Sequence, residues 1–252
     1  MNKLKPLPEE WSGLLNNEQK EAIENINGPL LIIAGAGSGK TRVLTYRYAH
    51  LIKTYGINFE NVLAITFTNK AANEMKDRIS DLLNLELSPK WISTFHSLCV
   101  KMLRIHGHLI GFNNNFTIYD QSDSTKLVRN CMRDSDIDTK QYSPKRIQAH
   151  ISSLKNQRIL PGEAVEFAQS FFDVKVAEIY SSYQKKLMLA NSMDFDDLLI
   201  KAVELLETSD KSLNYWSSKF QYIMIDEYQD TNMVQYRLVE LLASKHKNIC
   251  VV

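Results

Sequence analysis

Ala34-Gly35-Ala36-Gly37-Ser38-Gly39-Lys40-Thr41 lies between an apolar run, Leu30 to Ala34, and a segment from Lys40 to Lys53 whose apolar positions Val43, Leu44, Tyr48 and Leu51 recur at helical spacing. Gly28-Pro29 punctuates the start of the run, which reads as a fully buried strand. In a strand, Gly-rich loop and helix in that order, small residues let successive backbone N–H groups curl around an anion that also faces the positive end of the helix. Gly35, Ala36, Gly37, Ser38 and Gly39 would then cradle phosphate oxygens, Lys40 would reach the β- and γ-phosphates of a nucleotide, and the Thr41 hydroxyl would hold Mg2+. The strict pattern begins with Gly, and this chain has Ala34 there. That position needs a small residue more than a flexible one, so the loop is expected to survive. The bland alternative is a Gly-rich turn with an accidental Lys-Thr, and it leaves the flanking strand and helix unexplained.

Outward from the loop, the cycle repeats. Val62 to Thr66 reads as a strand followed by a helix from Lys70 to Leu83, and Trp91-Ile92 leads into a helix from Phe95 to Ile105. Late in the chain come a buried strand, Tyr222 to Ile225, a helix, Asn232 to Ala243, and a last apolar stretch, Asn248 to Val252. Continuous apolar strands alternating with helices predict an α/β fold with a parallel sheet covered on both faces. Between about Ser122 and Asn191 the texture is helical, polar and poor in strands, with breaks at Ser143-Pro144 and Pro161-Gly162. The expected organisation is an α/β nucleotide-binding domain from 1–116 and 192–252, interrupted by a helical insertion at 117–191. The chain stops inside the apolar run at Val251-Val252, which we read as the mark of a fragment of a longer protein.

A second chemical signal is Ile225-Asp226-Glu227-Tyr228-Gln229-Asp230 at the end of a buried strand. Asp226 is placed to bind Mg2+, and Glu227 beside it can orient or deprotonate an attacking water. An Asp-Glu after a strand is by itself a moderate signal, because acidic residues often end strands harmlessly; paired with the phosphate loop it becomes strong. The 186 residues between Lys40 and Asp226 themselves imply an insertion.

Composition excludes more than it selects. The 252 residues carry a net charge of +1, with 44% hydrophobic and 23% charged residues, as in globular proteins. No apolar run approaches the roughly 18 residues that a membrane span needs, and Met1 to Glu10 has no apolar core of the kind a secretory signal carries. Three widely spaced cysteines, Cys99, Cys131 and Cys250, do not suggest a disulfide frame or a zinc site and fit a reducing cytoplasm. A near-neutral chain has no global field for nucleic acid, so any such site is a local groove.

Several blocks together resemble one family, the UvrD/Rep/PcrA-like superfamily 1 ATP-dependent DNA helicases. Leu15-Asn16-Asn17-Glu18-Gln19 looks like its adenine-sensing segment, although one position varies. Thr66-Phe67-Thr68-Asn69-Lys70-Ala71-Ala72 and Ser93-Thr94-Phe95-His96-Ser97 look like its first DNA-contacting motifs. Met193-Asp194-Phe195-Asp196-Asp197-Leu198 looks like the return from its helical insertion, and Asp226-Glu227-Tyr228-Gln229-Asp230-Thr231-Asn232 is close to diagnostic. The resemblance implies a RecA-like P-loop domain, the first of two, in an enzyme that uses ATP and Mg2+ to move 3′-to-5′ along single-stranded DNA and to open duplex at single-strand/double-strand junctions. It implies that Gln19 reads the adenine edge and that Arg42 stacks on the adenine face. Phe67, Thr68, Asn69, Lys70, Thr94 and His96 become DNA contacts. The second RecA-like domain with its arginine fingers would follow Val252, so the 252-residue chain alone is expected to be nearly inactive. The motor of a helicase-nuclease is the alternative reading, and a nucleotide- and DNA-binding module without turnover is a third.

Each residue also has a plainer reading. An aromatic after an apolar strand is ordinarily core, but Phe67 stands among Thr66, Thr68, Asn69 and Lys70, where a base can stack. His96, between Thr94 and Ser97, suits a phosphate or sugar contact as well as a helix start. His106 and His108 have no completing acidic or cysteine cluster and read as surface residues. Lys145-Arg146 and Lys185-Lys186 read as solvated helix faces. Asp194, Asp196 and Asp197 suggest a metal cluster, but capping of a helix from Leu198 is the preferred reading.

Overall fold

The computed structural model describes residues 5–35, 37–86 and 89–252. Along the chain the elements are α1 (Glu9–Ser12), α2 (Asn17–Glu24), β1 (Leu30–Leu31), α3 (Lys40–Lys53), β2 (Val62–Thr66), α4 (Asn69–Leu83), β3 (Ile92–Thr94), α5 (Phe95–His106), β4 (Thr117–Ile118), α6 (Gln121–Asp134), α7 (Pro144–Asn156), α8 (Phe171–Leu189), β5 (Ser192–Met193), α9 (Phe195–Thr208), α10 (Asp210–Lys219), β6 (Tyr222–Ile225), α11 (Met233–Ala243) and β7 (Ile249–Val251). The chain forms two compact units. One comprises residues up to Leu98 with Asp210–Thr231 and Val239–Val252; the other comprises Cys99–Ser209 with Asn232–Leu238.

The first unit is built on a five-stranded sheet in the order β1-β7-β6-β2-β3, parallel throughout. Its middle strands are buried along their whole length, Val62–Thr66 and Tyr222–Ile225, as their uninterrupted apolar sequences require of strands covered on both faces. Register places Ala64 beside Met224 on one side and Ile92 on the other. Leu44, Tyr48 and Leu51 from α3 and Met75 and Ile79 from α4 pack with Val62, Ala64, Ile92, Met224 and Cys250 in one core. Each fully buried aliphatic side chain there contributes about 1.5–3 kcal/mol.

One expectation fails at the sheet edge. The run Leu30 to Ala34 is not a fully buried strand: β1 is two residues long, with Leu31 61% and Ile33 87% exposed. Leu30 and Ile32 turn into the core and the odd residues turn out. The physical reason is position. Side chains alternate between the two faces of a strand, and here only the face of Leu30 and Ile32 is covered by the core among the described residues.

The second unit is mostly helical. Val128 and Met132 of α6, Ile147 and Ile151 of α7, and Val176, Tyr180 and Leu187 of α8 form its core. Two short strands, β4 and β5, pair in parallel with Thr117 beside Ser192 and Ile118 beside Met193. The expected insertion, 117–191, lies inside this unit, which is wider because α5 beyond Leu98 and α9 belong to it as well. Among the described residues no helix is long and apolar enough to cross a membrane.

Candidate nucleotide and DNA site

The phosphate loop begins where β1 gives out and ends at the first turn of α3. Gly37 and Gly39 hold φ of +77° and +87°, the left-handed region in which a side chain is strained, and Gly39 is the residue that caps α3. A Cβ at Gly39 would lie 3.0 Å from Gln19 Nε2, so any larger residue there would also push the Gln19 amide aside. Ser38 closes the turn, its N–H and hydroxyl both donating to the Gly35 carbonyl at 3.3 and 2.7 Å. Lys40 Nζ donates to the Ala34 carbonyl at 3.2 Å, which holds the ammonium over the mouth of the loop. Ala36 lies outside the described residues.

Gln19 meets this loop from α2. Its Oε1 accepts the Asn16 N–H and the Asn16 side chain accepts the Gln19 N–H, a reciprocal cap that fixes the start of the helix. Gln19 Nε2 then donates to the Ser38 carbonyl at 3.1 Å. Arg42, exposed on α3, lies over the Tyr46 ring at 5.5 Å. The two lie in the wall of a cavity of about 360 Å3 whose opposite side is Arg78, Asp81 and Leu82 of α4.

The carboxylate pair comes to the same place from β6. Thr41 Oγ1 donates to Asp226 Oδ2 at 3.0 Å. Asp226 is 4% exposed, and its Oδ1 is buried without a hydrogen-bond partner. Burial pushes its carboxyl above the usual range, against the opposing effect of the Thr41 hydroxyl; Glu227 adds to the rise and Lys40 opposes it. A buried anionic oxygen with a spare lone pair beside a hydroxyl is a donor set that a hard divalent cation fits. Glu227 follows at φ +54°, a left-handed backbone that costs a non-glycine residue about 1–3 kcal/mol and marks many functional sites. Gln229 Nε2 donates to Glu227 Oε2 at 2.5 Å and fixes the direction of the side chain.

The residues expected to meet DNA follow β2 and β3, neighbours in the sheet. Thr68 caps α4 by accepting the Ala71 N–H at 3.1 Å, and Asn69 and Lys70 are exposed in its first turn. Phe67 is half-buried and meets the Phe95 ring edge-on, centroids 5.7 Å apart. The Thr94 hydroxyl donates to Ser97 Oγ and accepts the Ser97 N–H, so it is engaged in capping α5; His96 is half-buried in the next turn.

In the second unit Asp194 caps α9 reciprocally with Asp197, and the helix starts at Phe195, three residues before the expected Leu198. A residue that sequence reasoning missed lies beneath it. Lys155, fully buried, bonds Asp194 at 2.7 Å and Asp197 at 2.8 Å, and Tyr183 donates to Asp194 at 2.8 Å. Burial alone would lower the Lys155 pKa, but the two carboxylates outweigh it and hold the ammonium charged. The spacing of Ile147, Ile151 and Leu154 was the available signal, because it puts Lys155 on the buried face of α7.

This chemistry has known relatives. The chain is 48% identical over 238 residues to the ATP-dependent DNA helicase PcrA of Staphylococcus aureus strain Mu50, and equally so to that of Staphylococcus epidermidis strain ATCC 12228. Each alignment takes in 94% of this chain and 33% of the relative, so the chain spans about a third of the length of these proteins. The family profile described as the UvrD/REP helicase N-terminal domain matches residues 15–252, nearly the whole sequence, and the chain belongs to that family.

Proposed function

We propose that this chain is the ATP-binding, motor-bearing N-terminal part of a DNA helicase that moves 3′-to-5′ on single-stranded DNA, its sheet serving as a RecA-like motor domain and 117–191 as a helical insertion. The observation that carries the reading is the 3.0 Å bond between Thr41 and Asp226, which joins the phosphate loop to the carboxylate pair. Lys40 and the backbone of residues 35–39 hold the nucleotide phosphates, Gln19 and Arg42 take the adenine, and Thr41 and Asp226 hold Mg2+, which when bound neutralises charge on the phosphates. Glu227 orients the attacking water and accepts its proton. Phe67 stacks a base while Thr68, Asn69, Lys70, Thr94 and His96 hold the strand's backbone. The relatives named are helicases, which favours this reading over the motor of a nuclease. They are about three times as long, and we attribute strand separation to the longer protein; the 252 residues alone hydrolyse ATP slowly.

The test compares two variants of the full-length protein carrying this sequence. Lys40→Ala should abolish or greatly weaken binding of a nonhydrolysable ATP analogue, whereas Glu227→Gln should bind it normally and scarcely turn ATP over. Strand separation should proceed on a 3′-tailed duplex and fail on a 5′-tailed one. Analogue affinity within twofold of the parent in Lys40→Ala would sink the phosphate-loop assignment, and unwinding from the 5′ tail would sink the polarity.

A further inference from the structure

Glu227 and Gln229 stand two residues apart in a turn that the backbone closes by itself. The Asp226 N–H donates to the Ile65 carbonyl at 3.0 Å and the Tyr228 N–H to the Val252 carbonyl at 2.8 Å, which fastens the chain to the sheet on either side of Glu227. The Asp230 N–H then donates to the Glu227 carbonyl at 3.0 Å and the Thr231 N–H to the Tyr228 carbonyl at 3.1 Å, so Gln229 lies inside two overlapping turns. All of these residues belong to the first unit. None of the four bonds uses the side chain of Glu227 or of Gln229, so the turn keeps its shape when either is changed.

The two side chains are joined separately. Gln229 Nε2 donates to Glu227 Oε2 at 2.5 Å, the one hydrogen bond to that carboxylate among the described residues. Side chains two positions apart on a right-handed helix do not face each other. Glu227 departs from that path at φ +54°, and its carboxylate meets the glutamine amide. Glu227 is half-buried and Gln229 is exposed, so without this bond the carboxylate could turn toward solvent. A hydrogen bond to an anion is stronger than one between neutral groups. This one occupies Oε2 and leaves Oε1 as the oxygen that can accept a proton.

We propose that Gln229 is a positioning residue for Glu227: it holds Oε2, presents Oε1 to the attacking water, and so sets the rate of hydrolysis without touching the nucleotide. This rests on the reading of Glu227 as the group that activates water. The side chains assigned to the phosphates and Mg2+ make their bonds elsewhere, Lys40 to the Ala34 carbonyl and Thr41 to Asp226. Loss of the amide therefore lowers kcat and leaves nucleotide affinity unchanged.

Three substitutions separate the donor from the shape. Gln229→Leu removes the donor at similar size. Gln229→Glu keeps the shape and sets a second carboxylate against the first. Gln229→Lys returns a donor on a longer stem. Each is made in the full-length protein carrying this sequence, and DNA-stimulated ATPase, affinity for a nonhydrolysable ATP analogue and melting temperature are measured. The proposal expects kcat about 10- to 100-fold down in Gln229→Leu and at least as far down in Gln229→Glu. Analogue affinity should stay within about twofold of the parent, and Gln229→Lys should recover most of kcat. In a Glu227→Gln background, followed by single-turnover hydrolysis, Gln229→Leu should cost nothing further, because the amide acts only through the carboxylate it holds. Unchanged kcat in Gln229→Leu, in a protein that Glu227→Gln still silences, overturns the proposal and leaves the assignment of Glu227 standing. A kcat that falls only with the folded fraction, or equally in all three variants, also overturns it, as does an equal loss of analogue affinity. Normal turnover in Glu227→Gln removes the reading of Glu227 and the proposal with it.

Discussion

The Thr41 hydroxyl donates to Asp226 Oδ2 over 3.0 Å, joining two residues 185 positions apart in the chain. The first lies in the opening turn of α3 and the second directly follows β6, so parallel-strand topology brings a hydroxyl from the end of the phosphate loop to a carboxylate at a strand end. The bond uses one oxygen of Asp226 and leaves the other buried and unpaired. A carboxylate held that way costs folding free energy until something binds it, an economy common at functional sites.

That cost has a measurable sign. Burial raises the Asp226 pKa, so the folded chain holds this proton more tightly than the unfolded chain does. The stability it contributes is complete below the ordinary carboxylate value of about 3.9 and is lost as pH rises through the raised one. Asp226→Asn should therefore raise the melting temperature of the nucleotide-free chain at pH 7, and the gain should vanish near pH 3.5. A lower melting temperature at pH 7 would mean that the ionised carboxylate is stabilised by its surroundings.

Phe67→Ala should weaken binding of single-stranded DNA by about 1–3 kcal/mol at fixed salt, with little dependence on base sequence. The edge-on contact with Phe95 adds a stability loss of about 0.5–1.5 kcal/mol. Urea unfolding and fluorescence anisotropy, run on the same preparation, separate the two. DNA affinity that follows only the folded fraction would make Phe67 a packing residue.

Lys155→Met keeps the length of the stem and removes the ammonium from between Asp194 and Asp197. Two buried carboxylates are then left without a cation, and the expected loss is about 3–5 kcal/mol by urea unfolding. Changing Asp194 and Asp197 to Asn in the same protein should return part of it. A loss below about 1 kcal/mol would show that water reaches the cluster.

Sequence periodicity located the central elements because each obeys one rule without competition. β2 and β6 are uninterrupted apolar runs and were placed to the residue, as was α3 from Val43, Leu44, Tyr48 and Leu51. Leu30 to Ala34 satisfies the same apolar rule, yet the rule does not say whether both faces of a strand are covered, and Leu31 and Ile33 lie exposed. The aspartates of the return segment were legible as caps by type, but not the residue at which α9 starts. Lys155 is hard to read from sequence because a lysine in an amphipathic helix is ordinarily solvated, and its partners lie about 40 residues away along the chain. The left-handed backbone of Glu227 had no signal, since glycine is the residue that advertises that region and none stands there.

The pairing of β4 with β5 sets Ile118 beside Met193, so the chain leaves and re-enters at one doorway. Everything between those two strands is, in topological terms, a single long loop with its ends already fastened together. The entropy of closing such a loop grows only logarithmically with its length, by about 0.6 kcal/mol for each doubling. The connections between the helices of residues 119–191 can therefore lengthen or shorten at little closure cost, whereas Lys155, bonded to Asp194 and Asp197 beyond the doorway, ties α7 to a fixed place.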